Sequence, residues 1–275
     1  MTPARERTAW RQGGDAVCLP PPNPVQRTWR LVLLGPPGVG KDTQVRLLSR
    51  AFGACQLSTG EVFRAARGTK AEPHSAMALA QACIVEHGEL IANEIVLGLI
   101  RERSHCLHCR GGFMLNDFPR TLSQAQAIDG LLAAEHLQLD AVISYELPDA
   151  EILARNTGRR VCPQCHAVFH VTSRPPQTEG ICDQCGAALG QRPDDRPEAV
   201  AVRLEAYAAD TVPLAAHYRA QGLLIPISAT GRPEEIFART LDALAVLVLP
   251  PYVSRVSALL SSILAAAAPA HTPVP

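Results

Sequence analysis

Lysine is nearly missing from this 275-residue sequence: of twenty-six Lys and Arg residues, only Lys41 and Lys70 are lysine. A lysine kept at Lys41 in such a chain draws attention to its surroundings. Net charge is missing too, because twenty-six Asp and Glu balance the basic residues, which argues against a generic binder of nucleic acid or anionic membrane. No uninterrupted apolar run reaches the roughly 18 residues of a membrane-spanning helix. Residues 1–29 lack the apolar run of about 7–15 residues that marks a secretory signal, so the cytoplasm is the expected compartment. No internal repeat is visible. With 47% hydrophobic and 19% charged residues, the chain can build a sizeable core and is not disordered as a whole.

Cysteine, by contrast, is plentiful, and its spacing is informative. Six of the nine cysteines fall in C-x-x-C pairs, at Cys106/Cys109, Cys162/Cys165 and Cys182/Cys185, a pattern that reads as metal chemistry before it reads as a disulfide framework. Along the chain, residues 1–29, with Pro20-Pro21-Pro22-Asn23-Pro24, are expected to be a mobile leader. Apolar runs follow at Leu31–Leu34, Phe113–Leu115, Ala141–Ile143 and Leu223–Ile227. Helical patterns separate them near 44–52, 76–87, 91–103, 122–136, 149–157, 197–221 and 233–247. That alternation predicts an α/β domain with a parallel sheet covered on both faces. Residues 158–196 break the pattern with four cysteines and many turn formers, and are expected to form a small inserted module. Residues 249–275 form an Ala- and Leu-rich tail, read as an extra helix docked on the core or as a weak interfacial helix.

Gly35-Pro36-Pro37-Gly38-Val39-Gly40-Lys41-Asp42-Thr43 follows an apolar strand and opens a helix. In that context glycines let backbone N–H groups converge on phosphate oxygens, and the helix N-terminus adds a favourable dipole. Lys41 would reach the outer phosphates as a point charge.

With this loop in place, the stretch from Leu31 to Ile236 resembles adenylate kinase and its nucleoside monophosphate kinase relatives. Gly35–Gln44 resembles the family's phosphate loop. Ser58-Thr59-Gly60-Glu61 with Arg64 resembles the start of the monophosphate-binding segment, where Thr is typical of AMP users, and Glu89–Glu94 resembles its closing hinge. Phe118-Pro119-Arg120-Thr121 with Gln124 resembles the motif that holds AMP. Arg155 and Gly158-Arg159-Arg160-Val161 resemble the start of a mobile lid. Arg192, Asp194-Asp195 and Arg203 resemble its end, followed by Tyr207 and Pro213.

The resemblance implies a P-loop kinase with a five-stranded parallel sheet flanked by helices, a monophosphate-binding helical insert and a zinc-binding lid. Core residues would be 30–57, 92–157 and 197–248, with 58–91 binding the monophosphate and 158–196 forming the lid. The implied activity is reversible phosphoryl transfer from ATP to AMP by a cytoplasmic monomer that engages neither nucleic acid nor membrane. ATP would be held by Gly35, Pro36, Gly38, Val39, Gly40, Lys41, Asp42, Thr43 and Arg155, the last stacking on its base. AMP would be held by Thr59, Gly60, Arg64, Arg120, Gln124, Arg192 and Arg203. Lys41, Arg120, Arg159, Arg192 and Arg203 would be catalytic, and magnesium would accompany ATP. The chemistry suits these residue types, because phosphoryl transfer is mostly positioning and cationic stabilisation, and Arg matches phosphate bidentately.

Cys162 and Cys165, sixteen residues, then Cys182 and Cys185 form a strong zinc signature: four thiolates close a tetrahedral structural site. A module of about 39 residues cannot build its own core, so metal ligation would supply folding energy. A redox pair or a nucleic-acid ribbon are the alternatives, the latter disfavoured because Arg174 is the only Lys or Arg between Cys162 and Cys185. His105-Cys106-Leu107-His108-Cys109 imitates a second metal site but is read as a loop without function.

Three residues depart from the family pattern. Asp42 replaces the usual Gly after the loop lysine, and Asn116-Asp117 replaces Asp-Gly before Phe-Pro-Arg. Asp42 is read two ways: turned to solvent and weakening ATP binding, or meeting magnesium in place of a function lost at Asn116, with Asp117 a second helper. Asp117 also opens the base pocket to question. A kinase for another monophosphate, or a weakened nucleotide-binding protein, therefore stands beside the leading reading.

Overall fold

The structure is a computed structural model that describes residues 27–59, 93–102, 104–165 and 167–248. The expected helix at 76–87, the leader up to residue 26 and the tail from residue 249 lie outside the described residues.

Strand β1 (Trp29–Leu34) leads through the Gly35–Gly40 loop into α1 (Lys41–Phe52), which ends on Gly53 in the left-handed region, φ 64°. Strand β2 (Cys55–Ser58) follows, and after the undescribed segment come α2 (Asn93–Glu102), a 3-10 turn (Ser104–His108) and β3 (Gly112–Asn116). Next are α3 (Leu122–Ala134), β4 (Ala141–Glu146) and α4 (Asp149–Thr157). Thr121 caps α3 by accepting from the Gln124 amide at 3.3 Å, satisfying one of the donors a helix start leaves open. A two-stranded antiparallel unit, β5 (Arg159–Val161) and β6 (Val168–His170), begins the cysteine module. A 3-10 turn (Pro193–Asp195) then leads to α5 (Pro197–Ala220), β7 (Leu224–Ser228) and α6 (Pro233–Val246).

The main sheet has five strands in the order β2-β3-β1-β4-β7, and every pairing is parallel. Side chains alternate across a strand, so β1 feeds two cores. Val32 and Leu34 join Leu57, Phe113 and Leu115 with Leu99 of α2, Ile128 of α3 and Tyr218 of α5. Leu31 and Leu33 pack on the other face with Val45 and Leu48 of α1 and Ile236 and Leu244 of α6. Helices on both faces explain why β1 is almost continuously apolar. Pro226 is tolerated in β7 because that strand pairs on one side only, with β4.

The order fixes where chemistry can occur. β3 lies on one side of β1 and β4 on the other, so the chain reverses direction of winding at β1. A crevice at the carboxyl ends of the strands is the usual binding place of such a sheet. Among the described residues no helix is long and apolar enough to cross a membrane.

Candidate functional site

The loop after β1 opens into that crevice. Gly38 adopts φ 83°, and a Cβ there would lie 1.9 Å from Nδ2 of Asn156, so a side chain has neither the backbone freedom nor the room. Asn156 is fully buried. Its Nδ2 donates to the Pro37 carbonyl at 3.1 Å and to the Ile152 carbonyl at 2.9 Å, while its Oδ1 accepts from Arg159 at 3.1 Å. One amide thus braces the loop and the start of the cysteine module.

Lys41, the first residue of α1, donates from Nζ to the carbonyls of Gly35 at 2.7 Å and Pro36 at 3.1 Å. Burial lowers its pKa; Asp117 and Asp42 oppose that shift, while Arg120 and Arg203 reinforce it. Residues from α1, the β3–α3 loop and α5 therefore share one electrostatic neighbourhood. Asp42 lies in the first turn of α1 and is exposed. It does not stand alone: Asn116, the last residue of β3, donates from Nδ2 to Asp42 Oδ1 at 2.7 Å.

Ser58 at the end of β2 donates to Asp117 Oδ2 at 3.3 Å, and the adjacent Thr59 is buried. Asp117 sits at φ 67°, a conformation that Asp and Asn adopt more readily than most residues. Arg120 donates from Nε to the Asp117 carbonyl at 2.9 Å. Its own amide donates to Gln124 Oε1 at 2.7 Å, and its carbonyl accepts from Thr211 of α5 at 3.2 Å. The backbone of Arg120 is fixed, and its half-exposed guanidinium lies against Asp117, with Nη2 3.7 Å from Oδ1. Gly60 and Arg64 lie outside the described residues.

Two arginines flank the module's base. Arg155 donates to the carbonyls of Val39 at 3.3 Å and Ala229 at 2.9 Å. Arg159 grips Asp195 with two hydrogen bonds, the Nε–Oδ2 bond being 2.9 Å. Asp195 is fully buried. Replacing it with alanine strands part of a buried ion pair, so Asp195→Ala should cost about 3 kcal/mol, read as a lowered urea midpoint at unchanged slope. Arg203 on α5 is half-buried beside Asp194; burial lowers its pKa, Asp194 opposes, and Arg159 and Arg120 reinforce. Arg192 immediately precedes the 3-10 turn, its carbonyl accepting from the Asp195 amide at 3.0 Å. A cleft of about 260 Å³ beside the loop is lined by Pro36, Glu146, Tyr207 and Val212 among others.

In the module, the Sγ atoms of Cys162, Cys165, Cys182 and Cys185 all lie within 4.8 Å of one another. Two matching turns place them: the Cys162 amide donates to Ala167 at 2.9 Å, and the Cys182 amide to Ala187 at 2.8 Å. Backbone donors, first that of Cys165, bring Cys162 down to about 6. At Cys165 and Cys185 a backbone donor is outweighed by burial and the neighbouring sulfurs, which raise the thiol, so all four become thiolates only around a bound metal ion. Apolar support is slight, limited to Cys162, Phe169 and Cys182 with three half-buried neighbours. Among the described residues no other group of three His, Cys, Asp or Glu gathers in this way. Cys106 instead packs in the core beside Leu107, and His108 meets Glu135 at 2.9 Å.

The sequence did not single out Asn156 or the Asp195 clamp as site residues. Only the Asp-Asp doublet hinted at the clamp, and nothing local marked Asn156.

The family model described as adenylate kinase matches residues 33–223. An adenylate kinase of Carboxydothermus hydrogenoformans is 44% identical over 215 residues, covering 78% of this chain and 99% of that protein. An adenylate kinase of Streptomyces avermitilis is 42% identical over 216 residues, 78% of this chain and 96% of that protein. One from an Anaeromyxobacter species is 42% identical over 217 residues, 78% and 99% respectively.

Proposed function

This chain belongs to the adenylate kinase family and catalyses reversible phosphoryl transfer from ATP to AMP, giving two ADP; on that premise we propose which of its residues carry the reaction. The loop Gly35, Pro36, Gly38, Val39, Gly40, Lys41, Asp42 and Thr43 holds the ATP phosphates, Asp42 through its backbone N–H and not its carboxylate, and Arg155 stacks on the ATP base. Thr59, Gly60, Arg64, Arg120, Gln124, Arg192 and Arg203 hold AMP. Lys41, Arg120, Arg159, Arg192 and Arg203 neutralise the charge that grows on the transferring group. The supporting observation is the mutual electrostatic reach of Lys41, Arg120 and Arg203, which come from three separate elements.

These residues act by position. Arg120 is anchored through its backbone by Gln124 and Thr211, which leaves the guanidinium to meet an anion without moving the chain. Arg159 is oriented by Asp195, so its direction is set before substrate arrives. Such preorganisation is the main way proteins stabilise a dispersed phosphoryl charge. The family's magnesium, bound with ATP, would neutralise phosphate charge. Asp42 and Asn116 offer it oxygen atoms, one anionic and one neutral.

The same reading assigns 30–57, 92–157 and 197–248 to the core, 58–91 to monophosphate binding and 158–196 to a lid closed by structural zinc on Cys162, Cys165, Cys182 and Cys185. It takes the enzyme to be a cytoplasmic monomer. Asp117, held between Ser58 and Arg120, supports a second reading in which another monophosphate is preferred. A coupled assay of ATP against AMP, CMP, UMP and GMP, with and without magnesium, decides between them. The expected result is highest kcat/KM with AMP and dependence on magnesium. Preference for another base would establish the second reading, and no turnover with any of the four would remove the catalytic assignment.

A further inference from the structure

We infer that Asp42 and Asn116 form a charge-exchanged pair that receives the hydrated magnesium of bound ATP, Asp42 giving the carboxylate and Asn116 a neutral oxygen. The inference rests on the reading of Gly35–Thr43 as the ATP phosphate site.

In phosphate-loop enzymes generally, a hydroxyl following the loop lysine and a carboxylate from elsewhere in the fold meet the metal together. Here the residue following Lys41 is the carboxylate Asp42, and the end of β3, the strand beside β1, carries the amide Asn116. The two side chains touch, Asn116 Nδ2 donating to Asp42 Oδ1 at 2.7 Å. Anion and neutral group stand in the reverse order across the crevice, so the pair keeps one negative charge.

Two oxygens are left over. The contact with a carboxylate fixes the orientation of the amide, because the opposite rotamer would set oxygen against oxygen. Asn116 Oδ1 is thereby directed elsewhere, and it is buried with no hydrogen-bond partner, although Asn116 is 0% exposed. Buried acceptors without donors are rare and call for an explanation. Asp42 Oδ2, on an exposed residue, makes no hydrogen bond among the described residues. Magnesium dehydrates reluctantly and is commonly bound by one or two carboxylates plus substrate phosphate, with several waters retained. Those waters are donors; Asp42 Oδ2 offers an acceptor in the first turn after the loop that would carry the phosphates, and Asn116 Oδ1 is a second acceptor, unpartnered, on the side chain that touches Asp42.

A purely structural role makes a different forecast. A carboxylate in the first turn of α1 is favoured by the helix dipole whatever binds nearby. Its loss would then lower stability and leave the effect of magnesium on ATP affinity unchanged.

The test is calorimetric titration of ATP into the full chain, in chelator and in excess magnesium. It compares the wild type, Asp42→Asn, Asp42→Gly and the double exchange Asp42→Asn/Asn116→Asp. The unmodified protein should bind ATP about tenfold tighter with magnesium. Asp42→Asn and Asp42→Gly should bind metal-free ATP about fivefold tighter, since a repulsive charge is gone, and should lose most of the gain from magnesium. The double exchange should regain it. A wild-type ratio in both single variants, or no recovery in the double exchange, overturns the pair. Failure of the unmodified protein to bind ATP in either buffer would overturn the loop assignment itself, a distinct result.

Discussion

Replacing Lys41 with alanine should lower turnover at least about a hundredfold, equivalent to about 3 kcal/mol of lost transition-state stabilisation. Steady-state assay of the forward reaction reads this directly. The ammonium holds the carbonyls of Gly35 and Pro36, and on the proposed reading it also meets the ATP phosphates. Arg120→Ala should fall in the same range, but with the loop intact, so its loss should weigh more on AMP than on ATP. Near wild-type turnover in Lys41→Ala would refute the assignment. The pH profile adds a check. Burial lowers the Lys41 pKa, so its charge is lost on the alkaline side earlier than in a free lysine. The fall of kcat/KM with rising pH should therefore begin below the ordinary lysine value of about 10.4.

Chelation should have the next largest effect. The cysteine module holds one zinc per chain on this reading, and its apolar support is only Cys162, Phe169, Cys182 and their half-buried neighbours. Structural zinc sites supply about 10–16 kcal/mol in small peptides, far beyond what so few buried groups contribute. Removing the ion should unfold residues 158–196 and expose them to protease while the five-stranded sheet persists. Elemental analysis gives the count, and limited proteolysis with and without chelator locates the change. A metal-free protein with a protected module would overturn the claim. Two ions per chain would restore a metal role to Cys106 and Cys109.

How much of this was written in the sequence depended on whether the signal was local. Strand β1, the glycine loop and the two cysteine pairs are contiguous patterns, and each lies where its pattern placed it. Strand β2 was not legible as a strand, because Cys55–Ser58 is four residues long and interrupted by Gln56; only the family resemblance implied a fifth strand. Helix ends differed by a few residues, as with α1, which starts at Lys41 and not at Gln44. The Asp42–Asn116 contact joins residues 74 positions apart, and the Arg159–Asp195 clamp spans 36. Neither has a periodicity or spacing that a single sequence can reveal. Gly60, Arg64 and the helix expected at 76–87 remain statements about sequence alone.

The base of the cysteine module carries one more consequence. Arg159 at its start and Asp195 at its end are joined to each other and, through Asn156, to the phosphate loop. The chain between them departs and returns at neighbouring points, with His170 reaching back to the Ala154 carbonyl at 3.2 Å and the Val171 amide donating to the Gly158 carbonyl at 2.9 Å. Mechanically, the module is a cartridge in a socket, and the socket is built wholly from residues outside the cysteine cluster. Exchange of residues 161–191 for another compact segment with closely spaced ends would leave the Arg159–Asp195 latch, Arg192 and the Asn156 brace in place. An engineer could therefore vary the length, metal requirement or heat tolerance of the module without recutting the sheet.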